Sequence, residues 1–336
     1  MSSLVWRLDR TRVHALHALG PIASSLAGDR SRRVAWTLGI AAVTSLALAL
    51  VAPLWMLALA PVVWGVPHLV SDVRYLVVRP GWHRRPKTLA VAGGLLLVAT
   101  LTFGVTAALA AAAIATLLVL DGTRWRRLAI AAPLFAFAAL TFHARLLSDA
   151  VFVQVHNLIA LVLWWRWRPR DGRATAALAF AGAATLLLLG GGFDAALAHT
   201  RWTSPFHGLR LGALAAAVAP GLAARWARRL VVLYAFGQSL HYAVWLRMVP
   251  DDDRPQPTPR TFAATFRALR SDLGPLLLVV AAALAVLLVV GATFDGAQAL
   301  ATYLRWSALH GYVEIVALAL SLARGTSPAA SVAPVA

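Results

Sequence analysis

The run LLLVVAAALAVLLVV, from Leu276 to Val290, contains no polar side chain. Such runs recur along the chain. Several reach about 17–25 residues with few charges, enough to cross the roughly 30 Å hydrocarbon core of a bilayer as a helix. In hydrocarbon every backbone N–H and C=O must be satisfied within the protein, so only helices and closed barrels span it. Barrel strands read as short alternating segments, and these runs do not alternate. The expected fold is therefore all-α, a polytopic transmembrane helical bundle of about 10–11 spans. The chain is 60% hydrophobic, against about 45–50% for soluble domains.

Charge and polarity divide the chain. Residues 1–32 form a basic segment in which Val5, Trp6, Leu8, Val13, Leu16 and Leu19 fit an amphipathic helix on the membrane surface. Residues 33–324 form the transmembrane helical domain, and 325–336 a flexible C-terminal tail. The expected spans are 34–51, 54–78, 88–103, 105–120, 128–146, 150–165, 174–189, 208–223, 230–249, 276–290 and 301–322, with a turn at Phe103-Gly104.

The net charge of +18 comes from arginines clustered between the runs. That distribution reads as cytoplasmic loops against anionic lipid, with no nucleic-acid partner. It puts the N-terminus in the cytoplasm and the chain in the inner (cytoplasmic) membrane of a bacterium. Two basic stretches, 223–229 and 254–270, both read as cytoplasmic although one clear span separates them. Either one of them faces out or one apolar stretch is re-entrant. The absence of cysteine excludes disulfides and thiolate metal sites.

Ionisable groups inside spans cost roughly 2.5–3.5 kcal/mol each near a helix centre on insertion scales, so those present need a reason. In GVPHLVSD, His68 and Asp72 are four apart, which stacks them on one helix face. LHGYVEIV repeats the spacing with His310 and Glu314, the one glutamate in the chain. His156 in VQVHNLI and His241 in GQSLHYAVW lie mid-span beside amide side chains. Taken singly, each histidine fits a neutral, hydrogen-bonded core residue, and Asp72 fits an ion pair with an arginine such as Arg74. Arg74 itself fits a side chain extending to the basic loop at 79–87. Taken together, the histidines fit a cluster. His68, His156 and His241 lie at similar depth, about 12–15 Å from one end of their spans at 1.5 Å per residue. His143 with Asp149 is a weaker pair beside Arg145.

Imidazole with carboxylate suits Fe(II), Zn or Mn better than soft copper(I). The expected ligands are His68, His156, His241 and His310, holding Fe(II), with Zn or Mn as alternatives. Asp72 and Glu314 are expected to orient the imidazoles or add ligands. Tyr242 joins them as a catalytic candidate, with Tyr75, Gln238 and Tyr312 as pocket neighbours. Walker, Rossmann, HExxH and GxSxG motifs are absent, as are the repeated histidine boxes of membrane desaturases.

The segment from Gly65 to Asp72 also resembles a motif of the Brp/Blh β-carotene dioxygenase family. Gly65, Pro67, His68 and Asp72 match its Gly-x-Pro-His followed by Asp four residues on. His156, His241 and His310 stand in for the family's later span histidines. Leu69 replaces a glycine of the pattern, and Trp245 stands four after His241 in place of a second histidine. The resemblance implies one iron held by histidines inside spans. It also implies O2-dependent oxidation of a carotenoid-like, lipid-soluble substrate arriving from the bilayer. The expected function is a membrane-embedded non-haem iron oxygenase whose partners are a hydrophobic small molecule and membrane lipids. The alternatives are a proton- or ion-coupled transporter using the buried His, Asp and Glu, and a structural or assembly membrane protein with satisfied core histidines.

Overall fold

The computed structural model describes residues 3–18, 20–102, 105–120, 123–167, 172–254 and 257–324. Every element among them is helical and no strand occurs, as the unalternating apolar runs require. α1 (Ser3–Ala18) and α2 (Gly20–Gly28) precede the bundle. α3 (Arg30–Val51) begins on Asp29, whose carboxylate accepts the Arg32 N–H at 3.0 Å, satisfying one free donor of the first turn. α4 (Pro53–Val78), α5 (Pro86–Leu101), α6 (Val105–Val119), α7 (Arg124–His143), α8 (Arg145–Trp167) and α9 (Thr175–Gly190) follow. Short helices α10 (Asp194–Ala198) and α11 (Leu211–Val218) lead to α12 (Ala224–Ala243, continuing through Val244–Met248 and Val249–Asp252), α13 (Phe262–Phe294) and α14 (Gly296–Arg324).

Polar contacts at the chain reversals define two ends. At one, Arg33 meets Asp251, Arg79 meets Asp253, and Arg166 meets Ser321. At the other, the Arg201 N–H donates to Val51, Arg229 pairs with Asp194, and the Gly296 N–H donates to His207. Among the described residues, ten helices run between these ends: α3 to α9 and α12 to α14. Five of them are long and apolar enough to cross a membrane by length and composition: α3, α4, α7, the Ala150–Trp167 part of α8, and α13. The outer surface is apolar, with Leu276, Leu186 and Phe142 each more than 70% exposed. That pattern is compatible with an integral membrane protein.

Two expectations change. Residues 208–223 are not a span: they hold only the eight-residue α11, about 12 Å long. The basic stretch 223–229 therefore lies at the end opposite 254–270, which removes the conflict between them. Arg74 does not reach toward solvent; it is 2% exposed and its Nε donates to Asp272 at 2.7 Å. The N-terminal segment is also tied to the bundle, because Asp9 accepts the Phe262 and Ala263 N–H groups at 2.7 and 3.1 Å. A carboxylate is favoured at that helix start. The turn at 103–104, the tail at 325–336 and the Asp149 side chain lie outside the described residues.

Pro61 and Pro67 interrupt α4. Proline lacks an N–H and its ring crowds the carbonyl four residues back. The helix takes this up as a π turn at Pro61–Gly65 and widens again at Val73–Val78, directly after Asp72. α12 widens at Val244–Met248, just past His241. Such turns are frequent at functional sites because they re-aim side chains within a continuous helix.

Candidate metal centre

Four helices deliver the expected groups to one place: α4 brings His68 and Asp72, α8 His156, α12 His241, and α14 His310 and Glu314. The His68 ring centroid lies 5.3 Å from His241 and 5.0 Å from His310. His156 lies 5.2 Å from His241 and 5.5 Å from His310, and these last two are 5.4 Å apart. One potential ligand atom from each of His68, Asp72, His241 and His310 falls within 4.8 Å of all the others. Ligands about 2.1 Å from one ion sit about 3–4.2 Å apart, so this set closes on an ion with shifts of up to about an ångström. His156 stands beside that group and is not part of it.

The backbone fixes which nitrogen faces inward. Nδ1 of His68 is 3.3 Å from the Trp64 carbonyl, and Nδ1 of His156 is 2.9 Å from the Val153 carbonyl. Nδ1 of His310 meets the Ser307 carbonyl. A carbonyl only accepts, so Nδ1 carries the hydrogen and Nε2 keeps its lone pair for a ligand. Among the described residues, Nε2 of His68 and His310 and both nitrogens of His241 are buried without a hydrogen-bond partner.

The carboxylates close one side. Asp72 Oδ2 lies 3.8 Å from His68 Nε2, and Glu314 Oε1 lies 3.7 Å from His241 Nε2. The His310–Glu314 spacing suggested that these two serve as a pair. Instead Glu314 turns to α12, where the Trp245 indole donates to Oε1 at 2.6 Å. Asp72 does not pair with Arg74; both its oxygens, and Glu314 Oε2, lack a hydrogen-bond partner. With the nitrogens, seven buried polar atoms converge on the cluster unsatisfied. At about 1–3 kcal/mol for each such atom, the total rivals the roughly 5–15 kcal/mol net stability of a folded chain. A cation between the imidazoles and Asp72 would take one nitrogen from each of His68, His241 and His310 and one Asp72 oxygen, so the donor set fits a divalent metal.

The opposite side opens on a cavity of about 210 Å3 lined by all four histidines. Its other wall is aromatic: Phe152, Tyr234, Tyr242, Tyr303 and Tyr312. Gln238 Nε2 donates to the Tyr234 and Tyr242 hydroxyls at 3.1 and 3.0 Å. Tyr242 and Tyr303 hydroxyls are 3.1 Å apart, and Tyr303 reaches to 3.5 Å from His68 Nδ1. Tyr242, Gln238 and Tyr312 are thus placed as expected. Tyr75 instead lines a separate cavity further along α4.

Sequence reasoning missed Tyr303 and Trp245. The available signal was a stripe: Tyr303, Ser307, His310 and Glu314 share the 4-3-4 spacing of Tyr234, Gln238, His241 and Trp245, which keeps each set on one helix face. Gly65 makes room for Tyr303, since a Cβ there would lie 2.7 Å from Tyr303 Cε2. Gly65→Ala is expected to cost about 1–3 kcal/mol by overpacking, read as a lower unfolding midpoint. Adding Tyr303→Leu should recover most of that loss.

Compared with protein-family models, curated proteins and solved structures, the chain matches none.

Proposed function

We propose that this chain is a membrane-embedded non-haem iron oxygenase acting on a carotenoid-like, lipid-soluble substrate. One observation carries the reading: four imidazoles converge inside the bundle, backed on one side by two carboxylates and open on the other to an aromatic cavity. A structural metal site is closed on all sides, whereas a catalytic one keeps a face free. His68, His241 and His310 would hold the ion, with His156 or Asp72 completing the set. Nitrogen and oxygen donors without sulfur favour Fe(II), Zn or Mn, and the Gly65–Asp72 resemblance favours iron. Bound there, iron(II) would supply the activation of O2.

The protein's own groups do the rest. Glu314, held by Trp245, faces His241 Nε2 at 3.7 Å, the Trp64 carbonyl orients His68, and Asp72 stands beside His68 Nε2 as a further ligand. The Gln238–Tyr242–Tyr303 chain fixes the cavity wall and can hand a proton along its hydroxyls. The cavity is too small for a long substrate; about 210 Å3 lies below the roughly 300–1,000 Å3 of ordinary small-molecule pockets. Asn157 lines both this cavity and an apolar groove of about 680 Å3 between α8, α9 and α12. The groove would admit the substrate from the bilayer, past Asn157 and Gly237. Cleavage of a C=C bond by one O2 gives two C=O groups and needs no outside reductant. In this reading the end with Arg33, Arg79 and Arg254 faces the cytoplasm of a bacterium, with the N-terminus on that side.

Protein purified in detergent should contain about one equivalent of iron by elemental analysis. With β-carotene in nanodiscs it should consume O2 and form carbonyl products. Gly237→Val should lower turnover on the order of tenfold, about 1.4 kcal/mol in barrier, without loss of iron. A folded protein that takes up no metal would overturn the reading. Proton flux in liposomes abolished by Glu314→Gln would replace it with a transporter.

A further inference from the structure

α13 packs unusually loosely. Of its 33 residues only Ala263 and Ala292, near the two ends, have buried side chains. The helix bends at Gly274, whose φ of 78° precedes Pro275. Inside the bend, against α4, lies a cavity of about 490 Å3. Val66, Pro67, Val70, Ser71 and Arg74 line it from α4. Neither His68 nor Asp72 lines it and it shares no lining residue with the cavity at the histidines, so it is separate from the histidine cluster.

Its lining is two-sided. Arg12, Arg74, Arg247, Arg254 and Arg260 supply positive charge, and Asp251 is the single carboxylate. Asp251 is already engaged by Arg33, at 2.6 and 2.9 Å. The other part is hydrocarbon: Leu278, Ala281, Ala282 and Ala285 from the second arm of α13, with Val66 and Val70 facing them. Three polar atoms at the charged end are buried without a hydrogen-bond partner: Arg74 Nη2, Tyr75 Oη and Arg260 Nη1. Arg74 and Tyr75 are 2% and 5% exposed. Arg12 and Arg254 are both held below the usual guanidinium range, first by burial and then by the neighbouring positive charge of Arg247 and Arg260 respectively. Crowded, partly buried guanidiniums with free donors call for an anion, and phosphate is the anion their planar fork suits best.

We propose that this bend binds one anionic phospholipid, its phosphate held by Arg74, Arg254 and Arg260 and an acyl chain lying along Ala282 and Ala285. A lipid meets both halves of the cavity at once, and basic pockets between membrane helices recognise such headgroups. It also fills the gap that leaves the middle of α13 unpacked. The site is independent of any metal at the histidines.

The test uses delipidated full-length protein in neutral detergent, titrated with dioleoyl phosphatidylglycerol or dioleoyl phosphatidylcholine and followed by native mass spectrometry and thermal unfolding. Phosphatidylglycerol should bind at one site at least about tenfold more tightly than phosphatidylcholine, about 1.4 kcal/mol. The double variant Arg254→Gln/Arg260→Gln should lose that preference. Ala282→Trp, which fills the chain slot and leaves the arginines, should block the lipid. Equal binding of the two lipids by the wild type, or unchanged selectivity in the arginine variant, would overturn the proposal. So would inorganic phosphate that stabilises wild type and Ala282→Trp alike, since the site would then take the free anion.

Discussion

Replacing His241 with alanine is expected to strip the protein of bound metal while leaving the bundle folded. The His241 ring lies 5.2–5.4 Å from each of the other three. It is also the ring on which Glu314 acts, at 3.7 Å. Losing an orienting partner of a metal ligand typically costs 10–100-fold in affinity, and losing the ligand itself costs more. Iron or zinc content should fall from about one equivalent to under about a tenth. The metal-free fold should barely change, because two effects oppose. The substitution opens a hole, worth about 2–5 kcal/mol for a large-to-small change in a core. It also removes two buried nitrogens that lack partners, at about 1–3 kcal/mol each. Added metal should then raise the unfolding midpoint of the wild type and not of the variant; at a hundredfold excess over Kd the wild-type gain is about 2.7 kcal/mol. His156→Ala should do much less, since His156 stands beside the tight group of His68, Asp72, His241 and His310. If His156→Ala and His241→Ala lose metal equally, the assignment of His241 inside the ligand group and His156 outside it is wrong.

Which residues gather at the cluster was legible in the sequence; which partners they take was not. A histidine inside an apolar run is costly wherever it sits, so His68, His156, His241 and His310 stood out without any knowledge of packing. Depth along the helix is local information too, and it put three of these rings on one level. Pairing between helices is another matter. The His310–Glu314 spacing says that the two share a face; it cannot say that α12 lies close enough for Trp245 to take the carboxylate. Arg74 shows the same limit. Five residues from a basic loop, it looked free to extend, yet Asp272, far along the chain, holds it inside. The stretch 208–223 was misread because composition counts apolar residues and not helical ones. Gly208 and Gly221 both have positive φ, which L side chains rarely adopt, and only α11 forms between them.

The largest loss of stability is expected from Asp251→Ala, far from the histidines. Arg33 and Asp251 form a two-bond ion pair at 2.6 and 2.9 Å, and both are about 5–6% exposed. Arg33 also donates to the carbonyls of Leu26 and Pro257 at 2.7 and 2.8 Å. One side chain therefore joins α2, α3, the end of α12 and the loop before α13. Removing Asp251 strands a buried guanidinium, which costs about 3–5 kcal/mol. For a chain of this size that lowers the unfolding midpoint by roughly 6–15 °C, at about 2–3 °C per kcal/mol. Arg33→Met should be milder, because a stranded carboxyl can take up a proton and a guanidinium cannot lose one. The double variant Arg33→Met/Asp251→Leu buries no charge at all and such exchanges are often neutral. Here it should recover only part of the loss, since the Leu26 and Pro257 carbonyls keep no donor, at about 1 kcal/mol each. The expected order of midpoints is wild type, then the double variant, then Arg33→Met, then Asp251→Ala. Were Asp251→Ala to melt with the wild type, the pair would hold nothing together, and the packing of α2 against the loop at 257–261 would have to rest on other contacts.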